Sequence, residues 1–447
     1  MSKPTFKRPR PEESRLVAYT LISQVNREGA YANIRLPQLL NSSNLDERDR
    51  SFTTELSYGT LRMQGKHDFV ISGKIDRPFE SLDPAIVDLL RMGLHQIFEM
   101  RVPDHAAVDA TVEVARAVAG EGKASYVNAI LRSVLRDRPS FNEDTDLHIM
   151  YSHPQWIVAA LKEQVKDSTR LVELLSSHNT PVPPHLVAWP GKSTKEELIL
   201  EGAIEMPEGK YAARAEKMPG MYAAIHERRA GVQDLGSQLI SEIFFNTAGE
   251  EGFLSWLDMC AGPGGKAAML YNLLHTFRIK DTFVANEPTP HRADLVSHVV
   301  PTNLVISHPG QNLPAIGNTY DRILIDAPCS GLGALRRRPE SRWRKTKEEL
   351  KGLVSLQRDL LDAGVLLLNP GGLIGYVTCS PHRSETQAQV VDFLYRHRDF
   401  ELRSLEPFIP QSALSMNFLL PDGTIQMWSD IHGTDSMFVA LFQRIER

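Results

Sequence analysis

From about residue 250 onward, the sequence alternates short apolar runs with turn residues and helical stretches. Apolar runs that are bounded by turns are typical of buried parallel strands. Helices between such strands give a doubly wound α/β sheet, which binds its ligands at the carboxyl ends of the strands. The predicted strands are Phe253–Leu257, Thr282–Ala285, Leu304–Ile306, Arg322–Ile325 and Leu373–Val377, followed by a closing hairpin of Ile425–Trp428 and Met437–Phe442.

The preceding sequence has a different pattern. Roughly its first 140 residues predict one helix after another and no strand, which indicates an all-α domain. Ser14 is predicted to cap the first of these helices and Gly29 to end it, and Asp83-Pro84 is predicted to start another. A Pro-rich stretch and short apolar pieces come next. We therefore predict an all-α domain at 1–145, a small α+β connector at 146–230 and the doubly wound domain at 231–447.

The composition excludes several classes of protein. With 42% hydrophobic and 23% charged residues, the 447-residue chain resembles a soluble globular protein, and we expect no membrane span. Three cysteines are too few for a disulfide framework and lack the spacing of a zinc site, so we predict a cytoplasmic protein without a metal. The net charge of −5 argues against indiscriminate nucleic-acid binding, although it allows a local basic patch.

A glycine-rich loop follows the first predicted strand, in the segment Asp258–Lys266. Its glycines let the backbone approach a ligand closely, and the helix N-terminus that follows favours a carboxylate. Glu287 comes near the end of the next predicted strand, where an acidic side chain can accept both hydroxyls of a ribose. A turn that is merely tightened by glycine is the alternative, and the spacing differs from the G-x-G-x-x-G of nicotinamide enzymes. The loop predicts a nucleoside cofactor.

Two cysteines lie at the ends of later predicted strands, Cys329 in Asp-Ala-Pro-Cys-Ser and Cys379 in Thr-Cys-Ser. A solitary cysteine is more often a small buried hydrophobic residue than a reactive one. Two of them at successive strand ends favour a pair of reactive thiols in one site. A thiol-dependent redox enzyme is disfavoured because the chain has no Cys-x-x-Cys.

The sequence resembles the RsmB (Sun-type) family of 16S rRNA 5-methylcytosine methyltransferases. The resemblance spans nearly the whole chain, and the helical N-terminal part resembles the NusB-like RNA-binding domain of that family. The sequence of residues 331–338 is similar to that of actinobacterial members. The motifs are Cys-Ala-Gly-Pro-Gly-Gly-Lys at 260–266, Asp-Ala-Pro-Cys-Ser-Gly at 326–331, Arg-Arg-Pro-Glu at 337–340 and Val-Thr-Cys-Ser-Pro-His at 377–382.

The resemblance implies a site and a partner. It implies S-adenosylmethionine as the methyl donor and RNA, either 16S rRNA or an assembling small subunit, as the partner of a monomer. Cys379 is then the nucleophile, Cys329 the thiol that releases the product, and Asp326 the residue that polarises the base. The implied cofactor-binding residues are Cys260, Ala261, Gly262, Pro263, Gly264, Gly265, Lys266, Glu287 and Asp326.

The basic run Arg336–Lys347 follows Cys329 closely and includes Trp343. Charge runs most often form a solvated loop. The nearby thiol and the embedded Trp favour phosphate contact near the target base instead. A target base must also be unstacked before the face of its carbon 6 is accessible.

One position departs from the family. Where the family usually has an Asp beside the adenine, this chain has Pro309, which offers neither a side-chain acceptor nor an amide donor. We therefore expect weaker donor binding. This departure motivates an alternative function, that of a NusB-like RNA-binding or ribosome-assembly factor with weak or lost methyltransferase activity.

Overall fold

The structure is a computed structural model that describes residues 11–249 and 252–445. Its helices are α1 (Glu13–Glu28), α2 (Ala32–Asn41), α3 (Glu47–Arg62), α4 (Gln64–Ser72), α5 (Pro84–Phe98), α6 (Asp104–Ala119), α7 (Glu121–Arg136), α8 (Leu147–Met150), α9 (Gln155–Val165), α10 (Ser168–Ser177), α11 (Lys195–Leu200), α12 (Ala223–His226), α13 (Leu235–Asn246), α14 (Gly265–Phe277), α15 (Pro290–Ser297), α16 (Ser341–Arg344), α17 (Lys347–Leu367), α18 (Gln387–Arg396) and α19 (Ser429–His432). Its strands are β1 (His185–Ala188), β2 (Ile204–Glu205), β3 (Ala212–Arg214), β4 (Ala230–Val232), β5 (Ser255–Asp258), β6 (Thr282–Asn286), β7 (Val305–Ile306), β8 (Tyr320–Asp326), β9 (Leu368–Thr378), β10 (Phe400–Arg403), β11 (Ile425–Gln426) and β12 (Phe438–Arg444).

The described residues fall into two compact units. The helical unit extends to residue 162 and also contains 167–180 and 335–344. The sheet unit contains the remaining described residues, namely 163–166, 181–334 and those from 345 onward. The domain boundaries that the sequence suggested at 145 and 230 remain a prediction.

The helical unit is built around α5. This helix begins where the sequence predicted, because the Asp83 side chain accepts a hydrogen bond from the Ala85 amide and Pro84 occupies the first turn. Its residues from Ala85 to Ile97 are buried, so it forms the centre of the unit. The predicted start of α1 is wrong, since Glu12 is the N-cap and Ser14 is buried inside the helix. The predicted end is confirmed, because Gly29 takes a left-handed φ of 72°.

The sheet unit contains the predicted doubly wound sheet, with strand order β10-β12-β9-β8-β5-β6-β7. The strands from β9 to β7 are parallel. Strands β12 and β10 extend the sheet in antiparallel fashion. The predicted terminal pairing is confirmed, since Ile425 of β11 pairs with Val439 of β12. A second, four-stranded antiparallel sheet of order β2-β3-β1-β4 supplies the expected α+β character between 181 and 232.

Two apolar cores cover the two faces of the large sheet. Strand β8 contributes Leu324 to one core together with α13 and α14, and it contributes Ile323 and Ile325 to the other together with α17 and α18. This alternation is expected of a strand that is buried on both faces. No helix in 11–249 or 252–445 is long and apolar enough to cross a membrane.

Candidate active site

The two cysteines that the sequence selected lie side by side. Strands β8 and β9 are parallel neighbours, with Asp326 opposite Val377, and the Ala327 amide continues the ladder by donating to the Val377 carbonyl at 2.9 Å. The loops that begin with these strand ends therefore leave the same edge of the sheet. They bring the Cys329 and Cys379 Sγ atoms to 3.2 Å, close enough for both sulfur atoms to contact one ring.

The glycine loop joins β5 to α14 at the same edge. Gly264 has a φ of 115°, a conformation that favours glycine. A Cβ at Gly262 would lie 2.1 Å from a carboxylate oxygen of Glu287, so only glycine permits this approach. Glu287 is buried, accepts a hydrogen bond from the Thr289 amide at 2.9 Å and lies 3.4 Å from Arg292. The loop and the acid that were predicted to bind a nucleoside are in direct contact.

Lys266, the last residue of the loop motif, connects the predicted cofactor loop with Asp326, one of the predicted catalytic residues. Its Nζ donates to Asp326 Oδ2 at 2.8 Å, and the lysine side chain is only 8% exposed. Burial lowers the pKa of Lys266, but Asp326, Cys379 and Asp258 together outweigh it, so the net direction is upward. Lys266 is therefore a cation that interacts with both Asp326 and the Cys379 sulfur.

Asp258, the first residue of the glycine-rich segment, was not among the site residues that the sequence predicted. It ends β5, it is buried, and its Oδ2 has no hydrogen-bond partner among the described residues. Burial and then repulsion from Asp326 raise the pKa of Asp258 to about 7, although Lys266 opposes the shift. Its position as the last residue of a strand before the glycine loop was the available signal in the sequence.

The three cysteines differ in their electrostatic surroundings. Burial, followed by Asp258, Asp326 and Glu287, raises the pKa of Cys260 well above its usual value, so this thiol stays protonated. The hydrogen bond with Cys379 and then burial raise the pKa of Cys329 as well. The Cys329 thiol therefore keeps its proton while it lies beside the Cys379 sulfur.

The loop around Pro309 is fixed by its backbone. Asn286 donates to the His308 carbonyl and accepts from the His308 amide, both at 3.0 Å. Pro309 is exposed and precedes a 3₁₀ helix, Gly310–Ile316. The side chain at 309 supplies no polar group here, as the sequence indicated.

The prediction that the basic run contacts phosphate is wrong for Arg342. This side chain is fully buried in the helical unit. Its guanidinium donates to the Ser152 carbonyl and to Asn179 Oδ1, each at 2.9 Å. Arg344, in the same segment, donates to the Val25 carbonyl at 2.9 Å. Neither a solvated loop nor a nucleic-acid contact describes this part of the run.

A doubly wound fold, a glycine loop suited to a nucleoside cofactor and two adjacent thiols are together typical of a methyltransferase. Two family models match the chain: "16S rRNA methyltransferase RsmB/F" at 245–443 and "NusB family" at 12–136. The chain belongs to the RsmB/F methyltransferase family.

Individual relatives agree with this assignment. "Putative methyltransferase Rv1407" of Mycobacterium tuberculosis is 38% identical over 98% of both chains, and its actinobacterial origin matches the similarity noted at 331–338. "Probable ribosomal RNA small subunit methyltransferase B" of Bacillus subtilis is 30% identical over 96% of this chain and 98% of its own. The solved structure titled "Crystal Structure of PH0851" shares the fold, with a TM-score of 0.82 and 20% identity over 99% of this chain and 100% of that chain.

The chain uses S-adenosylmethionine as its cofactor, and the residues of the site fit this molecule. The ligand has a sulfonium and an ammonium, whereas Asp258, Glu287 and Asp326 form a cluster of acids in which Asp258 Oδ2 is unpaired among the described residues. A positively charged ligand would balance these acids. The α14 N-terminus and the glycine-loop amides are suited to the carboxylate of the ligand. The alternative of a NusB-like RNA-binding or ribosome-assembly factor with weak or lost methyltransferase activity is not favoured.

Proposed function

We propose that this chain transfers a methyl group to carbon 5 of a cytosine in small-subunit ribosomal RNA, through a covalent bond between Cys379 and carbon 6 of the base. The observation that supports the proposal best is the 3.2 Å separation of the Cys329 and Cys379 sulfur atoms beside the Lys266–Asp326 pair. Carbon 5 of cytosine is a poor nucleophile, and addition of a thiolate at carbon 6 makes it a good one.

The cofactor site consists of the glycine loop and its acids. Glu287 holds the ribose hydroxyls, the loop residues Cys260–Lys266 surround the nucleoside with backbone, and Asp258 and Asp326 attract the cationic groups. Bound S-adenosylmethionine supplies an electrophilic methyl group. Cys260 contributes backbone contact and takes no part in proton transfer, because its thiol stays protonated.

Cys379 is the nucleophile in this proposal. Lys266 stabilises the thiolate electrostatically, as its interaction with Cys379 indicates. When the Cys379 sulfur adds to carbon 6, electron density moves to carbon 5. Carbon 5 then takes the methyl group from the sulfonium of the donor, whose sulfur keeps the electron pair of the broken bond. Asp326 binds N3 and the exocyclic amine of the ring and polarises the base.

Cys329 completes the reaction. Once Cys379 is bound to carbon 6 it is a neutral thioether, so the main cause of the raised pKa of Cys329 is gone. Cys329 then ionises more readily and accepts the proton from carbon 5. The electron pair of that carbon–hydrogen bond restores the double bond of the ring and expels Cys379 as a thiolate.

The substrate and partner follow from the two domains. We propose that the NusB-like domain positions an open region of 16S rRNA or of an assembling subunit, that recognition depends mainly on RNA shape, and that the protein acts as a cytoplasmic monomer. The relatives named as ribosomal RNA small subunit methyltransferase B support this target.

The cysteine roles are tested by trapping. Cys329→Ala should accumulate a covalent protein–RNA adduct that survives a denaturing gel, because the proton at carbon 5 cannot leave. Cys379→Ala should form neither adduct nor product, while Cys260→Ala should form product. Labelled donor and small-subunit rRNA are the substrates. An adduct with Cys379→Ala but not with Cys329→Ala would exchange the two roles, and the absence of methylcytosine with wild-type protein would reject the function.

A further inference from the structure

A single buried carboxylate connects the loops of the two reactive cysteines. Each cysteine is followed by a serine, Ser330 after Cys329 and Ser380 after Cys379. Both hydroxyls donate to Glu385, Ser380 at 2.6 Å and Ser330 through a short hydrogen bond to the same oxygen, Oε2. The two hydroxyl oxygens are 3.1 Å apart.

Further hydrogen bonds fix Glu385 itself. Its Oε1 accepts from the Ser330 amide at 2.8 Å and from Gln357 Nε2 at 3.1 Å. Gln357, on α17, also donates to the carbonyl of Pro328, the residue before Cys329, at 2.9 Å. The Glu385 carbonyl accepts from the Tyr376 hydroxyl of β9 at 2.8 Å. The carboxylate thus holds the residue after Cys329 and the residue after Cys379 directly, and it is linked through Gln357 to the residue before Cys329.

Burying the Glu385 carboxylate costs free energy, and its hydrogen bonds must offset this cost. The side chain is 0% exposed, and an ionised carboxylate that is removed from water is stable only when hydrogen bonds satisfy it. The donors that it contacts here are neutral groups. Apolar residues could fill the same space, but they could not set the distance between two loops by directed hydrogen bonds. The charge also contributes to the raised pKa of Cys329, after the hydrogen bond to Cys379 and burial.

We propose that Glu385 is a positioning residue for methyl transfer: its carboxylate holds the Cys329 and Cys379 loops at the separation that lets Cys329 reach the base bound to Cys379. This inference rests on the proposed function. The Glu385 carboxylate is buried against Ser330, Ser380 and Gln357, so its loss should impair the Cys329-dependent release step and leave donor binding intact.

The test compares Glu385→Gln, which keeps the shape of the side chain, with Glu401→Gln, which changes an exposed glutamate of β10. Glu385→Gln should lower kcat about 10²-fold at unchanged KM for RNA and unchanged donor Kd, and should accumulate the covalent adduct. Alkylation with iodoacetamide, mapped by mass spectrometry without RNA, should show a higher ratio of Cys329 to Cys379 modification. Glu401→Gln should match the wild type throughout.

The outcomes separate this inference from the proposed function. If wild type methylates cytosine but Glu385→Gln matches it in kcat and in alkylation ratio, the role of Glu385 is rejected and the function stands. If wild type methylates no cytosine, the function is rejected, and the alkylation ratio still decides whether Glu385 positions the thiols. Should Glu385→Gln fail to fold, the double variant Ser330→Ala with Ser380→Ala decides, and a normal kcat and alkylation ratio in it would overturn the inference.

Discussion

At the scale of single residues, the main feature of the site is a cluster of acidic side chains. Asp326 and Glu287 add to the effect of burial on Asp258, and Lys266 is a cation that pairs directly with Asp326. Such an arrangement costs stability in the free protein, and a ligand with positive charge recovers it. The same crowding of buried acids raises the pKa of Asp258 and favours the binding of a positively charged sulfonium cofactor.

Asp258→Asn should therefore stabilise the cofactor-free protein at alkaline pH. The pKa of Asp258 is about 7 in the folded protein and lies near 3.8 without the fold. Between these values the folded state keeps a proton that the unfolded state has lost, so this group makes wild type less stable as pH rises. The variant should gain a few kcal/mol at pH 8 and nothing at pH 4. Thermal unfolding at both pH values measures this.

The matched control is Asp294→Asn, an exposed acid of α15, which should show no such dependence. Donor affinity provides the second readout, because the same Asp258 variant should bind S-adenosylmethionine more weakly. A variant that is less stable than wild type at pH 8 would contradict the electrostatic account of Asp258.

Pro309→Asp should strengthen donor binding. The position precedes a 3₁₀ helix and has a φ of −53°, which an N-capping Asp accepts readily. One added hydrogen bond of about 1 kcal/mol corresponds to an affinity gain of roughly fivefold. Isothermal titration calorimetry measures the change against Pro309→Ala, which adds no acceptor. An equal gain in both variants would indicate a backbone effect.

At the scale of elements, the site depends on how closely loops of the sheet unit pack. The turn after Cys329 is held by two backbone hydrogen bonds of 2.9 Å, from the Gly333 amide to the Cys379 carbonyl and from the Ser436 amide to the Gly333 carbonyl. A Cβ at Gly333 would lie 1.8 Å from the Ser436 oxygen. Backbone atoms cannot move aside as a flexible side chain can, so the loop that follows Cys329 tolerates only glycine at position 333.

Gly333→Ala should lower the free energy of unfolding by about 3 kcal/mol and reduce methyl transfer, because the overpacked turn displaces the Cys379 loop. Gly352→Ala is the control from α17, where a Cβ would meet no atom within 4 Å. Alanine has the higher helix propensity, so this variant should gain about 0.5 to 1 kcal/mol. Urea unfolding compares the two, and equal stabilities would contradict the packing argument.

At the scale of the whole molecule, the helical unit is discontinuous in sequence. Residues 335–344 belong to it although most of its helices come from the first 180 residues. The Arg342 guanidinium donates hydrogen bonds to the carbonyls of Ser152 and His178 in this unit. Burial lowers the pKa of the guanidinium to about 9. A segment that follows the Cys329 loop in sequence is thus part of the core of the NusB-like unit.

Arg342→Ala should open the helical unit locally. The variant leaves buried carbonyls unpaired, and we expect a loss of about 3 kcal/mol in the helices around Ser152 and His178. Hydrogen exchange with mass spectrometry, on the full chain, should show faster exchange in α8–α10. Lys347→Ala, an exposed change at the end of the same basic run, should leave exchange as in wild type. Unchanged protection in Arg342→Ala would show that the segment is dispensable to the unit.

The sequence by itself determined the doubly wound sheet, the helical N-terminal part and the loop-and-thiol motifs, because strand periodicity, glycine positions and strand-end residues are local properties. It also indicated that Cys329 and Cys379 share one edge of the sheet. Only the tertiary structure decided which charges are buried together. Asp258 Oδ2 is unpaired among the described residues, Glu385 joins two serines, and Arg342 lies among carbonyls, because each arrangement depends on at least one neighbour that is distant in sequence. Burial changes the energy of a charge by several kcal/mol, and no local pattern records it.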